Sequence, residues 1–152
     1  MSKKLKLILN KQTPKATREV DGRPVSGIKD KELMLEVLDF AMSTPHAIGL
    51  AANQLRYGLW RLNKRFFVYK FNGMWDVVAN PRVVAQRGAY ETTEACLTWP
   101  GRTIDVVRYS KIVVQYQDIT GNIVDRNIGG REAQIFQHEL DHLNGVEEKF
   151  IR

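Results

Sequence analysis

Residues 137–143 read Gln-His-Glu-Leu-Asp-His-Leu and contain two histidines four positions apart, His138 and His142, with Glu139 between them. On a helix, positions i and i+4 lie on one face with their Cβ atoms about 5–6 Å apart. Two imidazole nitrogens in that arrangement can bind one metal ion at about 2.0–2.1 Å each. Glu139 lies about 100° around the helix from His138, which suits a general base better than a third ligand. The stretch therefore predicts a helical metal site with its own proton acceptor.

The helix that carries this stretch is predicted to run from Arg131 to Leu143 and to be capped by Asn144-Gly145. It has two stripes of residues at helical spacing. One stripe comprises Ala133, Phe136, Leu140 and Leu143, and the other comprises Arg131, Ile135, His138 and His142. Because both faces carry residues suited to burial, we expect the helix to be central and its histidines to face inward.

A catalytic metal centre of this kind needs a third protein ligand and an open fourth position. Only ten residues follow His142; they contain no histidine, and Glu147 and Glu148 lie just beyond the cap. Cys96 is the one cysteine of the chain. A lone cysteine is commonly a core residue, but a thiolate is also a strong metal ligand. We therefore predict that Cys96 joins the two histidines in a catalytic set.

The middle of the chain favours strands. Two hairpin turns are predicted, at Asn72-Gly73 and at Thr120-Gly121. The strand segments, in chain order, are 66–71, 75–79, 82–97, 103–108, 111–118 and 122–127. Strands of this number joined by tight turns indicate antiparallel sheets.

The first third of the chain is predicted to be more irregular. Residues 1–10 indicate a first strand or an N-terminal arm, and residues 10–30 a loop rich in turn formers. Residues 31–43 follow as a largely buried helix, ended by Thr44-Pro45. The whole pattern predicts one α+β domain, residues 1–152, with antiparallel sheets packed around the C-terminal helix that bears the ligands.

Composition excludes some classes of protein. The 152 residues are 43% hydrophobic and 26% charged, as is usual for a globular domain. No apolar run is long enough to span a membrane, and the N-terminus does not resemble a signal peptide, so we expect a cytoplasmic monomer without membrane contact. A net charge of +6 would suit a partner containing nucleic acid, but the basic residues are scattered along the sequence, which weakens that interpretation.

Three segments resemble the signature motifs of the peptide deformylases. They are Gly-Leu-Ala-Ala-Asn-Gln at 49–54, preceded by Ala47-Ile48; Glu-Ala-Cys-Leu-Thr at 94–98; and the histidine motif at 137–142. The resemblance implies an α+β fold and a metal bound by Cys96 and the two histidines. It implies Fe²⁺ as the native ion, replaceable by Zn²⁺, Ni²⁺ or Co²⁺. It further implies hydrolysis of the N-formyl group on the starting methionine of new polypeptides.

The resemblance also implies roles for residues around the metal. Glu139 would move the protons, while the Gln54 side-chain amide and the Leu97 backbone N–H would stabilise the oxyanion. A tight site at Gly49 and Leu97 would admit formyl and exclude acetyl. The candidates for contact with the substrate's methionine side chain and backbone are Ile48, Gly49, Ala95, Ile135 and, less directly, Trp99. We also expect Arg108 to pair with Glu94 or with Asp141 behind the ligands.

The chain departs from the family pattern in two ways. Ala47, Ala95 and Thr98 stand where the family usually has Gly, Gly and Ser. The sequence also stops at Arg152, without the C-terminal helix that many bacterial members use to dock on the ribosome. Only weak ribosome association is expected by that route, and the short form resembles bacteriophage members.

Two other functions compete with this interpretation. A zincin-like protease shares the His-Glu-x-x-His motif but uses a third ligand other than Cys96. A non-enzymatic nucleic-acid-binding domain would account for the net positive charge without a metal, although we expect no DNA partner.

Overall fold

The computed structural model describes residues 4–21 and 29–146, in which strands separate one N-terminal from one C-terminal helix. A single 3₁₀ turn spans Ala52–Gln54. In chain order the other elements are β1 (Leu5–Leu7), α1 (Asp30–Met42), β2 (Gly49–Ala51), β3 (Leu55–Tyr57), β4 (Trp60–Arg61), β5 (Phe66–Phe71), β6 (Met74–Ala95), β7 (Thr103–Gln117), β8 (Ile123–Gly129) and α2 (Gly130–Leu143). The predicted α+β class is confirmed.

The strands form two antiparallel sheets. One has five strands in the order β2-β5-β6-β7-β8, and the other has three in the order β1-β3-β4. The predicted turn at Asn72-Gly73 joins β5 to β6, with φ values of 52° and 77°. Both values lie in the left-handed region that a type I′ hairpin requires, which explains the Asn-Gly pair at this turn.

Some predicted strands proved to be parts of longer ones. Segment 75–79 and residues 82–95 of the next segment belong to the single strand β6, and segment 103–108 and residues 111–117 belong to β7. The strands were predicted to end too late, since Cys96, Leu97 and Asp118 lie just beyond them. Pro81 lies within β6, where the β6–β7 register shifts between Ala79 and Arg82 and again between Val83 and Ala85. An irregularity of this kind accommodates a residue without an N–H group, so the strand continues through it.

Other elements were not predicted at all. Strands β2, β3 and β4 have two or three residues each, too few for an alternating pattern to identify. Strand β1 confirms the first of the two options for the N-terminus. The predicted loop at 10–30 is irregular where it is described, apart from an isolated bridge between Arg18 and Lys64, and residues 22–28 lie outside the described part.

Strand β5, which lies between β2 and β6, is buried on both faces, and this places the large sheet between the two helices. Phe67 and Tyr69 point to the cluster that contains α2, and the Phe67 ring meets that of Phe136 edge-on at 4.9 Å. Phe66 and Val68 point to the cluster that contains α1. Strand β2 pairs with β5 in register, so these packed layers fix the position of β2 beside α2.

Helix α1 is less buried than its sequence predicted. Leu33, Val37 and Ala41 are enclosed, but Leu35 and Met42 are 47% and 59% exposed. The helix needs only one covered face, because it lies on the outside of the sheet. None of the described helices is long and apolar enough to cross a membrane.

Candidate metal centre

Helix α2 directs both histidines of its motif into the interior. His138 is 9% exposed and His142 1% exposed, and their ring centroids lie 5.0 Å apart. The positive φ of Gly130 allows the chain to turn sharply from β8 into the helix. The i, i+4 spacing therefore places two imidazoles on one buried face, as expected.

Cys96 lies directly after the end of β6 and meets the histidines. Its Sγ is 3.2 Å from Nε2 of His142. One ligand atom from each of Cys96, His138 and His142 lies within 4.8 Å of the other two. In a tetrahedral site with bonds of about 2.0–2.3 Å, ligand atoms stand about 3.5 Å apart. A thiolate and two imidazoles at these distances fit a single divalent ion.

The carboxylate of Glu94 orients His138. Its Oε1 lies 2.7 Å from Nδ1 of His138, which leaves Nε2 directed to the ligand cluster. Burial alone would raise the pKa of Glu94, but the bonds from His138 and Arg108 lower it to about 2. A carboxylate behind a ligating histidine fixes its tautomer and increases its basicity.

Arg108 holds this carboxylate from behind, and it pairs with both of its expected partners. Its guanidinium donates to the two Glu94 oxygens at 3.0 and 2.7 Å and to Oδ2 of Asp141 at 2.6 Å. Arg108 is only 3% exposed. Burial raises the pKa of Asp141 in spite of this cation. The network links two strands and α2 behind the metal ligands.

The two imidazoles have different electrostatic surroundings. Burial lowers the pKa of His142 well below its usual range, and the neighbouring His138 lowers it further. Burial also opposes a charge on His138, but Cys96 and Glu94 raise its pKa well above the usual range. His142 is therefore held neutral, the form in which an imidazole ligates metal.

Glu139 lies in the cleft beside the ligands, against the backbone of Gly49. A Cβ at position 49 would approach Oε2 of Glu139 to 2.5 Å. Real Cβ atoms do not come so close, so a side chain at position 49 would displace this carboxylate from its place beside the backbone. Strand β2 thus supplies the wall against which the candidate base lies.

Gln54 is oriented by the backbone and directs its amide toward the same cluster. Its Oε1 accepts from the N–H of Ala51 at 2.8 Å. Its Nε2 consequently points the other way, donating to Oγ1 of Thr98 at 2.9 Å and lying 3.9 Å from Sγ of Cys96. Thr98 fills its position with 1% exposure, so the additional methyl group, relative to serine, is enclosed.

Two amide side chains within the motifs, Asn53 and Gln137, were not predicted to have a role. Asn53 donates to the carbonyls of His142 at 2.6 Å and of Pro14 at 3.0 Å, which ties the end of α2 to the first loop. Gln137 bonds both the N–H and the C=O of Tyr109, which ties α2 to β7. Their place inside apolar motifs was the available signal, because a buried amide needs partners.

A cleft of about 330 Å³ opens over the cluster. Most of the expected site residues line it: Ile48, Gly49, Gln54, Ala95, Cys96, Leu97, Ile135, His138 and Glu139. His142 lies behind the cleft wall, and Trp99 is not part of the lining. The lining also contains residues that the sequence did not suggest, namely His46, Thr93, Arg131 and Gln134.

The alanines that replace family glycines fit their positions. Neither Ala47 nor Ala95 has a positive φ, so neither backbone is strained by a side chain. Ala47 is buried, whereas Ala95 faces the cleft. The two departures therefore leave the backbone at the site in an ordinary conformation.

Comparison with known proteins gives one consistent result. The family model described as polypeptide deformylase matches residues 8–147. A peptide deformylase from Thermotoga petrophila is 33% identical over 126 residues, which cover 82% of this chain and 74% of that protein. The peptide deformylase structure from Thermotoga maritima superposes with a TM-score of 0.78 at 27% identity, covering 93% of this chain and 92% of that one.

A bacteriophage structure is similar over nearly its whole length. The peptide deformylase of the Vibrio parahaemolyticus phage VP16T, solved in complex with actinonin, has a TM-score of 0.74 at 30% identity and covers 93% of this chain and 98% of that one. Several curated relatives are longer, and the chain aligns with only 58% of one and 51% of another.

Proposed function

Because this chain belongs to the polypeptide deformylase family, we propose that it hydrolyses the N-formyl group of formyl-methionyl peptides and releases formate. One observation carries the proposal. Cys96 and His138 line a single cleft with a carboxylate, Glu139, and an amide donor, Gln54, and His142 completes their ligand cluster behind the cleft wall. Amide hydrolysis at a metal centre needs these three kinds of group within reach of one carbonyl.

The family is metal-dependent, and we propose Fe²⁺ as the native ion on Cys96, His138 and His142. The support is the resemblance of the three motifs, together with a ligand set of one sulfur and two nitrogens that also suits Zn²⁺, Ni²⁺ and Co²⁺. When bound, such an ion polarises the formyl oxygen and lowers the pKa of a water molecule. The protein's part is to hold the ligands, and Glu94 does so for His138.

Glu139 is proposed as the proton carrier. Its carboxylate oxygen Oε2 is held beside Gly49 in the cleft and accepts the proton of the attacking water. The same oxygen then delivers that proton to the amine of the methionine as the C–N bond breaks. Burial at 4% exposure keeps bulk water from competing for the proton.

Gln54 and Leu97 are proposed to stabilise the developing oxyanion. The Gln54 amide cannot rotate freely, because Ala51 binds its oxygen and Thr98 binds its nitrogen. A donor held in place before the reaction costs little reorganisation, and the loss of one such donor typically reduces the rate about 10²–10³-fold. Leu97 follows Cys96 directly, so its backbone N–H lies next to the ligand cluster.

The substrate peptide is proposed to lie beside β2. This strand forms an edge of the five-stranded sheet, and its neighbour β5 occupies only one side. A peptide can therefore extend the sheet next to Gly49, with Ala95 on the opposite wall. Ile48 and Ile135 line the cleft and offer apolar surface to the methionine side chain. A tight site at Gly49 and Leu97 is proposed to admit formyl rather than acetyl.

The competing functions receive less support. A zincin-like protease needs a third ligand in place of Cys96, and no observation favours one among the described residues. We also propose a cytoplasmic location, because formylated N-termini arise where polypeptide synthesis starts. Weak ribosome association and a monomeric state remain part of the proposal.

A formate-release assay with formyl-Met-Ala-Ser, before and after chelation, tests the proposal. We expect chelator-sensitive release that the variant Glu139→Gln reduces by about 10²–10⁴-fold without loss of metal. Cys96→Ala should lose both metal and activity. Glu91→Gln, an exposed carboxylate on β6, is the matched control for Glu139→Gln.

Two outcomes would reject the proposal. If no formate is released, or if release survives complete removal of metal, the chain is not a metal-dependent deformylase. If Cys96→Ala keeps its metal and its activity, Cys96 is no ligand, and a protease with another third ligand becomes the better interpretation.

A further inference from the structure

We propose that the three-stranded sheet β1-β3-β4 binds the phosphodiester backbone of RNA. The sheet brings together a row of cations that the sequence separates by about fifty residues. This surface, which we call the basic sheet, comprises Lys6, Arg56 and Arg61 with the flanking Lys4 and Lys11. It lies outside the catalytic cleft, and none of its residues belongs to the candidate metal centre.

The three central cations are direct cross-strand neighbours. Lys6 pairs in register with Arg56, and Arg56 pairs with Arg61. Residues opposite each other in antiparallel strands project from the same face, with Cα atoms about 4.5–5.5 Å apart. Like charges in such positions repel each other and destabilise a sheet. A chain of phosphates lying across the row offsets this repulsion.

A groove beside the row has the same electrostatic character. It has a volume of about 390 Å³ and is lined by Leu7, Ile8, Leu9, Lys11, Arg56, Leu59 and Arg61. Among these described lining residues three are cationic and none is acidic. The groove therefore attracts a polyanion along its length, rather than a single ion at one point.

The hairpin between β3 and β4 adds apolar and aromatic surface to these charges. Its two-residue loop, Gly58-Leu59, has a positive φ at Gly58, as a type II′ turn requires. Leu59 is 98% exposed and Trp60 63% exposed at this tip. The register places Trp60 opposite Tyr57, so the indole projects from the other face of the sheet than the cation row, whereas Leu59 lines the groove beside that row. The cations, not the indole, therefore carry the choice of a polyanion as the occupant.

Positive charge is also concentrated in the parts of the sequence that contain the basic sheet. Residues 1–18 and 40–75 contain 11 of the 23 Lys and Arg residues and none of the 17 Asp and Glu residues. They carry +11, whereas the rest of the chain carries −5. The basic residues seemed scattered along the sequence, but the fold collects five of them on the basic sheet. That removes the argument against a nucleic-acid partner.

The basic sheet is joined to the catalytic residues by the backbone. Strand β3 begins directly after Gln54, and the N–H of Ile8 donates to the Gln54 carbonyl at 2.8 Å. The N–H of Asn10 donates to the carbonyl of Thr98 at 2.7 Å. The choice of RNA over DNA rests on the proposed function, because formylated chain ends arise where RNA-directed synthesis takes place.

Fluorescence anisotropy of a labelled 20-nucleotide single-stranded RNA, titrated with the full chain at several KCl concentrations, tests the proposal. Three phosphate contacts predict a slope of log K against log [salt] of about −2, at about −0.7 per contact. The double variant Lys6→Glu/Arg56→Glu should weaken binding at least about tenfold and reduce the slope by about 1.4. Formate release by this variant should be unchanged, which separates this proposal from the catalytic one.

The matched control is Arg87→Glu/Lys111→Glu. These two residues are also direct cross-strand neighbours, and the variant makes the same change in net charge on the β6–β7 pair. Should the first variant melt at a lower temperature than the native chain, Lys6→Glu alone at its exposed position carries the test, with a slope change of about 0.7.

Three results would overturn the proposal: equal weakening by the control variant, RNA binding that does not depend on salt, or no RNA binding together with binding to vesicles rich in phosphatidylglycerol. The first would indicate an effect of net charge alone. The last would indicate that the basic sheet and the Leu59–Trp60 tip contact an anionic membrane surface.

Discussion

Among the described residues, two clusters of buried charged side chains differ in one respect: only one of them touches the candidate metal centre. In the first cluster, Arg108 bonds Glu94 and Asp141, and Glu94 bonds His138. In the second, Lys64 is 1% exposed, and its ammonium lies 3.2 Å from Asp30 and 3.0 Å from the carbonyl of Glu19. The first cluster lies behind a metal ligand, whereas the second joins α1 to the strand-forming part of the chain.

The comparison shows that a buried charge does not by itself mark a functional site. In both clusters, close pairing offsets the unfavourable desolvation of the buried charges. Removal of one partner should therefore destabilise the protein in either case. What distinguishes the first cluster is its bond to His138, a proposed metal ligand. Function therefore depends on connection to a ligand and not on burial.

The largest effect is expected for Arg108→Met, which breaks the first cluster. Loss of a buried partner should lower the free energy of unfolding by about 3–5 kcal/mol, since the carboxylates stay buried. Metal affinity should fall about 10–100-fold, because Glu94 no longer holds His138 firmly. Urea denaturation and metal titration measure the two losses. Arg102→Met, at an exposed arginine, is the control, and equal losses there would contradict the expectation.

Lys64→Met breaks the second cluster and should separate stability from function. The free energy of unfolding should again fall by about 3–5 kcal/mol, because the Asp30 carboxylate loses a cation at 3.2 Å. Metal affinity and activity of the folded, metal-loaded protein should not change. If metal affinity falls as far as in Arg108→Met, the distinction between the clusters is wrong.

Glu94→Gln should have a smaller effect on stability and a clear one on metal. The amide keeps the shape of the carboxylate and some of its bonds, so we expect a loss of about 1–3 kcal/mol. Metal affinity should still fall about 10–100-fold, because a neutral amide supports the imidazole less well. A double-mutant cycle with Arg108→Met should show a coupling of about 0.5–3 kcal/mol, whereas one with Lys64→Met should show additivity.

The smallest effect is expected at a third, intermediate cluster. The Tyr69 hydroxyl donates to Glu132 at 2.7 Å, in the first turn of α2 and away from the ligands. Tyr69→Phe should cost about 1–2 kcal/mol without any change in metal affinity. Arg126 still pairs with Glu132 in this variant, which limits the loss.

We also predict that the contribution of Tyr69 to the free energy of unfolding depends on pH. Burial raises the pKa of Tyr69, and the bond to Glu132 raises it further. The group's contribution to stability is therefore complete below the usual tyrosine pKa of about 10 and is lost as the pH rises above it. The gap in unfolding free energy between the native chain and Tyr69→Phe should shrink between about pH 9 and 11. A constant gap would contradict the assignment.

The sequence predicted which three side chains, Cys96, His138 and His142, come together better than it predicted their surroundings. Helical periodicity is local, so the spacing of His138 and His142 was enough to place both on one face. Cys96 was nominated because a thiolate is a strong metal ligand and because the segment 94–98 around it resembles a family motif. Arg108 was one guess among many arginines, since its partners are 14 and 33 residues away.

In the fold as well, elements with local sequence signals were predicted and elements that depend on distant contacts were not. The Asn72-Gly73 hairpin and both helices were predicted because turn chemistry and periodicity are local signals. Strands β2 to β4 were missed because two or three residues carry no readable pattern. The basic sheet could not be predicted either, because the register of β1 with β3 depends on contacts across about fifty residues.

The missing side chain at Gly49 limits how this protein can change over evolutionary time. A ligand seated against that wall could in principle be excluded by a bulkier residue, which is a common route to drug resistance. Here any added carbon would come within 2.5 Å of the carboxylate of Glu139. A substitution that protects the protein from such a ligand would also displace the proposed base. We therefore expect that a substitution at Gly49 cannot exclude such a ligand and also preserve activity.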